Sequence, residues 1–146
     1  MTAPDRLLLW LAIGLVTIAS GCSGRGVTRE EAIADALDAM RAAARQHIAD
    51  MQRQPVVLKA IDGLQAELAS FDDALRLGME QVRALNANPD TSRADLEVAL
   101  KSLDAGRKQA RQRILQRHFE IIDMTSADEW STLAPHEKRA LLAAVK

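Results

Sequence analysis

Two histidines in this chain have the spacing and the neighbours to form a metal site. His47 and Met51 are four residues apart, so a helix would place both on one face. His118 and Asp123 add a second imidazole and a carboxylate. If two successive connections each reverse the chain into an antiparallel helix, His118 and His47 lie in the same layer of the bundle. Two imidazoles with a thioether or a carboxylate form a donor set for Cu, Ni or Zn. The alternative interpretation is that these histidines only pack against their neighbours and bind no ligand.

The sequence lacks the residue patterns that common enzyme mechanisms require. It has no Ser, His and Asp arrangement typical of hydrolases, no Gly-rich phosphate loop and no His-Glu-x-x-His pair. We therefore expect no enzymatic activity and, beyond the metal considered above, no cofactor. A net charge of −1 and an aromatic content of 3% also argue against a nucleic-acid-binding protein, which needs a basic surface and stacking side chains.

The single cysteine, Cys22, follows an apolar segment near the start of the chain. The apolar run from Leu7 to Ala19 is shorter than the roughly 20 residues that a membrane span requires, which favours a cleaved export signal. Residues 19–22, Ala-Ser-Gly-Cys, resemble the lipobox of bacterial lipoproteins. That resemblance implies cleavage before Cys22 and acylation of its thiol and its new amino group. An uncleaved anchor and a secretory signal that leaves a free thiol are the alternatives.

This interpretation divides the chain into a lipoprotein signal peptide over 1–21, a lipidated tether over 22–27 and a single helical domain over 28–146. The resemblance implies a periplasm-facing protein of the cell envelope that is bound to the membrane through lipid on Cys22. By the same resemblance to bacterial lipoproteins, Ser23 after the cysteine implies the outer membrane in preference to the inner one. Several acyl chains would give a firm anchor, because a single chain binds only marginally.

The residues after the tether favour an all-α fold, since strong helix formers are abundant. Thr28 and Glu31 predict a capping box at the start of a helix over about 29–52. A second helix is predicted to begin at Pro55 and to carry a heptad seam of apolar positions. The seam consists of Val57, Ile61, Leu64, Leu68, Phe71, Leu75, Gly78, Val82 and Leu85.

The second predicted helix is followed by turn-forming residues over 86–92 and by a third helix over about 93–122. The short connection predicts an antiparallel hairpin. A cap at 125–126 predicts a short fourth piece that carries Trp130, and Pro135 predicts the start of a last helix. We therefore expect a long antiparallel helical hairpin, extended to a three- or four-helix bundle.

The charges of the two long helices are complementary. Residues 101–118 hold six Lys or Arg and one Asp, whereas residues 60–82 hold five acidic residues and one Arg. An antiparallel turn near residues 88–90 places Arg107 beside Asp72 and Asp73, so we expect structural pairing between these residues. Exposed pairs of this kind set register and partner choice more than stability. The alternative is that the basic stretch contacts a membrane surface or an acidic partner.

Residues 27–31 (VTREE) and 124–128 (MTSAD) share the pattern apolar-Thr-x-x-acid. This pattern resembles the paired Leu-Thr-x-x-Gln motif of the Spy/CpxP group of periplasmic proteins, whose superfamily includes metal sensors of the CnrX type. The resemblance implies an exported helical hairpin that forms a homodimer and binds a protein client, an envelope regulator or a metal. We expect a membrane-anchored binding or accessory protein of the envelope-stress or heavy-metal response. The alternative is a structural or assembly lipoprotein with no ligand.

Overall fold

The computed structural model describes residues 27–145, and the described chain consists almost entirely of helix. The helices are α1 (Arg29–His47), α2 (Arg53–Ala87), α3 (Arg93–Asp123) and α4 (Ala127–Ala144). Because residues 27–145 contain no strand, the predicted all-α helical bundle is confirmed.

The predicted signal peptide, Cys22 and the tether up to residue 26 lie outside the described residues, as does residue 146. Within the described part of the chain, none of the helices combines the length and the hydropathy of a membrane span.

Three of the helices begin with a capping box. In each, the hydroxyl of the N-cap residue accepts a backbone N–H three residues on, and the acidic side chain there accepts the N-cap backbone N–H in return. The three pairs are Thr28 with Glu31, Ser92 with Asp95, and Ser126 with Glu129. The box predicted at Thr28 is confirmed, and together these caps fix where α1, α3 and α4 start.

The first helix ends at His47, earlier than the predicted end near residue 52. Asp50 Oδ1 accepts the backbone N–H groups of Gln52 at 2.9 Å and Arg53 at 3.1 Å, just before α2 begins. A short polar side chain that binds the backbone two or three residues on competes with a continuing helix and favours a turn. The spacing of side chains alone could not reveal this turn, because Met51 follows His47 by the four residues that separate neighbours on a helix face.

The last helix is continuous through Pro135, although Pro135 was predicted to start a separate helix. A proline inside a helix removes one backbone hydrogen bond, to the carbonyl four residues earlier. Here Pro135 and Ser131 are both exposed, so water can bind that carbonyl. Leu133 and Ala140 are fully buried on either side of the proline, and this packing favours one continuous helix.

The four helices run alternately up and down. At one end of the bundle, the Arg29 guanidinium donates to the Ala144 carbonyl, which places the start of α1 beside the end of α4. At the other end, Arg53 forms a bidentate pair with Glu129 at 2.7 and 3.0 Å, which joins the start of α2 to the start of α4. Short connections between antiparallel neighbours give this up-and-down topology.

The α2–α3 hairpin has the register that the sequence predicts. Arg113 Nε lies 2.8 Å from Glu67 Oε2, and Arg117 packs over Gly63. Nearer the turn, Leu103 packs directly against Gly78. Each of these contacts joins residues equally far from a turn near 88–90, so the antiparallel pairing is confirmed along most of the hairpin.

The two helices of the hairpin are much longer than the two that cover it. The helices α2 and α3 have 35 and 31 residues, whereas α1 and α4 have 19 and 18. We call residues 73–106 the distal hairpin and the rest of the described chain the base. From residue 73 to the end of α2 the distal hairpin extends about 22 Å, at 1.5 Å per residue.

The hydrophobic core lies in the base. Every member of the core cluster belongs to the four-helix part of the molecule. The largest fully buried side chains are Leu37, Met40, Ile48, Val57, Ile61, Leu64, Leu68, Ile121 and Leu133. In the distal hairpin Ala99 alone is buried, and the seam positions of α2 beyond Leu68 are at most half-buried.

Candidate functional site

His118 joins α3 to α4 through a buried carboxylate. Its Nδ1 lies 2.8 Å from Oε2 of Glu137, and the side chain of His118 is partly exposed. Edge-to-face contacts with Phe119 and Trp130, at centroid distances of 5.1 and 5.5 Å, hold the imidazole ring in place. One ring nitrogen of this predicted metal ligand is therefore already engaged by a side chain of the same protein.

Glu137 is the residue at this site that sequence reasoning missed. It is only 2% exposed and lies in the buried stripe of α4 with Leu133, Ala140 and Ala144. Burial raises the pKa of the Glu137 carboxyl, and the hydrogen bond and charge of His118 partly oppose that rise. The signal was available, because residues 133, 137, 140 and 144 follow the four-three-four spacing of a core stripe with an acid at its second position.

The other predicted metal ligands lie apart on the surface. His47 is exposed at the end of α1, Met51 is 88% exposed in the turn that follows, and Asp123 is exposed at the end of α3. Among residues 27–145 there is no group of three or more His, Cys, Asp and Glu side chains placed to hold a metal ion. The structure therefore does not bring His47, His118 and Asp123 together as a donor set.

The predicted pairing of Arg107 with Asp72 and Asp73 is wrong, although the register behind it is right. Asp72 pairs instead with Arg29 at 2.6 Å, because the start of α1 reaches that level of α2. Asp73 is exposed and pairs with Arg76 of its own helix at 3.3 Å. Two residues at the same height of a hairpin meet only when both face the same side, and heptad spacing did not resolve that direction here.

The basic stretch of α3 pairs only in part with α2. Arg113 reaches Glu67 across the hairpin, whereas Lys108 pairs with Asp104 and Arg117 with Glu120, both within α3. The side chains of Arg107 and Arg111 are exposed beside a groove at the end of α4. Internal pairing therefore accounts for one cross-helix contact, and part of the basic stretch remains accessible to a partner.

The distal hairpin combines a close helix contact with exposed apolar side chains. A Cβ added at Gly78 would lie 2.5 Å from Leu103 Cδ1, so glycine lets Leu103 pack directly on α2. Beside this seam, Leu77 and Val98 are 57% and 67% exposed, and Leu100 and Met79 are exposed as well. No other described helix covers these side chains, so water contacts them.

Compared with protein-family models, with curated proteins and with solved structures, the chain matches none of them. The lipoprotein and Spy/CpxP-like resemblances therefore depend on the sequence motifs alone. The motif residues of the described part, Thr28 and Thr125, lie at helix boundaries. Thr28 is the N-cap of α1, whereas the Thr125 hydroxyl donates to the carbonyls of Ile121 and Ile122 at the end of α3.

Proposed function

We propose that this chain is a membrane-anchored protein of the cell envelope that binds other proteins through its distal hairpin and catalyses no reaction. The observation that carries the proposal is the set of large apolar side chains that the distal hairpin exposes: Leu77, Met79, Val98 and Leu100. Large exposed apolar side chains are one feature of protein-binding regions. Methionine at such a surface adapts to partners of different shape.

The proposed anchor is supported by the apolar run and the small residues that precede Cys22. In the structure, Arg29 at the start of α1 contacts Asp72 and Ala144, so the chain enters at the junction of base and distal hairpin. The link from Cys22 to Val27 spans at most about 17 Å when fully extended. An acylated Cys22 would hold this junction close to a bilayer, with the distal hairpin free on one side of it.

The Spy/CpxP-like resemblance supports an accessory role in the envelope-stress response. The resemblance implies binding either of a protein or of a metal. The exposed apolar side chains of the distal hairpin support protein binding, whereas the predicted metal ligands lie apart. A structural or assembly lipoprotein remains the second candidate, because a long hairpin on a four-helix base is also suited to span a distance without a ligand.

The anchor is tested by replacing Cys22 and following where the protein fractionates. We expect Cys22→Ser to move the protein from the membrane fraction to the soluble fraction, because no thiol remains to be acylated. Ser23→Ala is the matched control and should stay with the membranes. A processed Cys22→Ser protein that still fractionates with membranes would contradict the proposed anchor.

The binding role is tested by the ability of the full-length protein to keep a heat-unfolded reporter enzyme from aggregating, followed by light scattering. We expect Leu77→Ser with Val98→Ser to raise the protein concentration needed by about tenfold, the effect of losing roughly 1.4 kcal/mol of apolar contact. The matched control is Val56→Ser with Leu142→Ser, which changes two similarly exposed apolar residues of the base.

The result also separates the two candidate functions. If the unchanged protein does not slow aggregation, the proposed binding role is wrong and the structural candidate is favoured. If both double variants lose activity equally, the distal hairpin is not the binding surface.

A further inference from the structure

A groove with a cavity volume of about 560 Å³ lies where the base meets the distal hairpin. Three helices form it, because α2, α3 and the end of α4 converge there. Its large apolar lining residues, which we call its floor, are Leu68, Phe71, Ile114, Leu115, Leu141 and Val145, of which Leu115 and Val145 are exposed. This volume is within the range of about 300–1,000 Å³ that small-molecule sites occupy.

The rim of the groove is basic. Asp104, Arg107, Lys108 and Arg111 line it on α3. Lys108 Nζ lies 2.7 Å from Asp104 Oδ2, and the opposite charges of this ion pair cancel each other. Arg107 and Arg111 are exposed, line the same groove and lie one helical turn apart on α3.

Two further cavities among the described residues lack this combination. A crevice of about 200 Å³ in the distal hairpin is lined by Gly78, Gln81 and Ser102 among others and is too small for a sizeable ligand. A groove of about 640 Å³ between α1 and α4 is lined by Asp35, Arg139 and Arg29, and Arg29 is engaged by Asp72. Of these three cavities, only the groove at the junction combines an apolar floor with two arginines, Arg107 and Arg111, that form no ion pair with the described residues.

We propose that the junction groove binds a long-chain fatty acid, with the acyl chain on the apolar floor and the carboxylate between Arg107 and Arg111. Burial of the chain removes apolar surface from water, and guanidinium groups bind carboxylates through strong charge-assisted hydrogen bonds. Side chains from three helices converge on one cavity instead of forming a row along one axis, which suits a single acyl chain better than a peptide helix. The proposal does not depend on acylation of Cys22 or on protein binding by the distal hairpin.

The test is photolabelling of the full-length protein with a palmitate that carries a diazirine in its chain and an alkyne at its end. After irradiation and digestion, mass spectrometry identifies the labelled peptides. We expect the label on residues of the floor such as Leu115, Leu141 and Val145. Arg107→Glu with Arg111→Glu should lower the yield by about tenfold or more, because the carboxylate then meets two like charges.

The matched control is Arg83→Glu with Lys101→Glu, which reverses two exposed charges of the distal hairpin and should leave the yield within about twofold of the unchanged protein. Circular dichroism shows whether each variant is folded. If the double reversal at the groove does not fold, Arg107→Gln with Arg111→Gln provides the same comparison without new charge.

Competition with unlabelled fatty acids adds a measurement that needs no variant. Each methylene removed from the competing acid should weaken binding by about two- to fourfold until the chain no longer fills the groove. The alcohol of the same chain length should compete at least about tenfold less well, because it lacks the carboxylate.

Three results would overturn the proposal. The first is label centred on Leu77 and Val98, which would make the distal hairpin a nonspecific apolar surface. The second is equal competition by acid and alcohol. The third is binding to vesicles of anionic phospholipid without binding of free fatty acid, which would make the basic rim a membrane-surface patch.

Discussion

The base and the distal hairpin share the helices α2 and α3 but differ in what covers them. In the base, α1 and α4 pack on the hairpin and bury Leu64 and Leu68 completely. In the distal hairpin, the same heptad seam continues through Leu75 and Leu85, yet these side chains are only half-buried. The same apolar seam is therefore buried where α1 and α4 cover it and accessible to water beyond the point where these two helices end.

Under the proposed function, this difference places stability and protein binding in separate regions. Two helices without further support are marginal, since most helical stability in proteins comes from packing against other elements. The base therefore must supply the free energy that keeps the molecule folded. The distal hairpin can keep exposed apolar side chains because the fold does not depend on burying them.

The largest loss of stability is expected when a seam side chain is truncated inside the base. Leu68→Ala should lower the free energy of unfolding by about 2–5 kcal/mol, because it removes a fully buried side chain and leaves a cavity. Leu85→Ala, at a half-buried seam position of the distal hairpin, should cost less than about 1 kcal/mol. Urea unfolding measures both, and equal losses would mean that the two regions are equally packed.

A second, smaller effect concerns the buried acid of the base. Glu137→Gln should change the free energy of unfolding by about 1 kcal/mol near neutral pH, because the amide oxygen can still accept from His118. Its clearer effect is on the pH dependence. The folded protein holds the Glu137 proton more tightly than the unfolded chain, because burial raises the pKa of this carboxyl above its usual 4.5.

The sign of that pH dependence follows from linkage. Above pH 4.5 the unfolded chain releases the Glu137 proton before the folded protein does, so this group's contribution to stability falls as pH rises toward its raised pKa. The Glu137→Gln variant does not lose stability in this way as pH rises, because its amide does not titrate. Urea unfolding at several pH values between 4 and 7 should therefore show the unchanged protein losing stability relative to Glu137→Gln as pH rises, and parallel curves would contradict the raised pKa.

The smallest effect is expected from the two glycines of the distal hairpin. Gly106→Ala should strengthen α3 locally by about 0.5–1 kcal/mol, because alanine favours helix and a Cβ there meets nothing within 4 Å. Gly78→Ala should gain less or lose stability, because its Cβ would displace Leu103. Amide hydrogen exchange in the distal hairpin compares the two, and equal gains would mean that the Gly78 contact with Leu103 does not constrain the helices.

The fold was predictable from sequence wherever the signal is local. The heptad seam, the turn over 86–92 and the caps at Thr28 and Ser126 fixed the helices and the register of the hairpin. The fold around Pro135 was not predictable in this way. Helix propensity argues for a break there, but the burial of Leu133 and Ala140 decides the outcome.

The candidate sites depend on contacts that spacing does not specify. His47 and Met51 share a helical spacing, but a turn centred on Asp50 ends the helix between them and leaves both exposed. The partner of Asp72 is Arg29, which depends on where α1 starts along the hairpin. The junction groove requires three helices to converge, and no single segment of sequence carries that information.

The central claim is that the base stabilises the fold while the distal hairpin is accessible and less stable. Native-state hydrogen exchange tests it most directly, because one experiment measures the local stability of both regions. We expect amides of α1, α4 and residues 57–71 to exchange only through global unfolding. Amides of residues 76–87 and 96–103 should exchange at least about 100-fold faster, corresponding to openings that cost about 2.7 kcal/mol less. Uniform protection along α2 and α3 would contradict the division of the molecule into a stabilising base and an accessible distal hairpin.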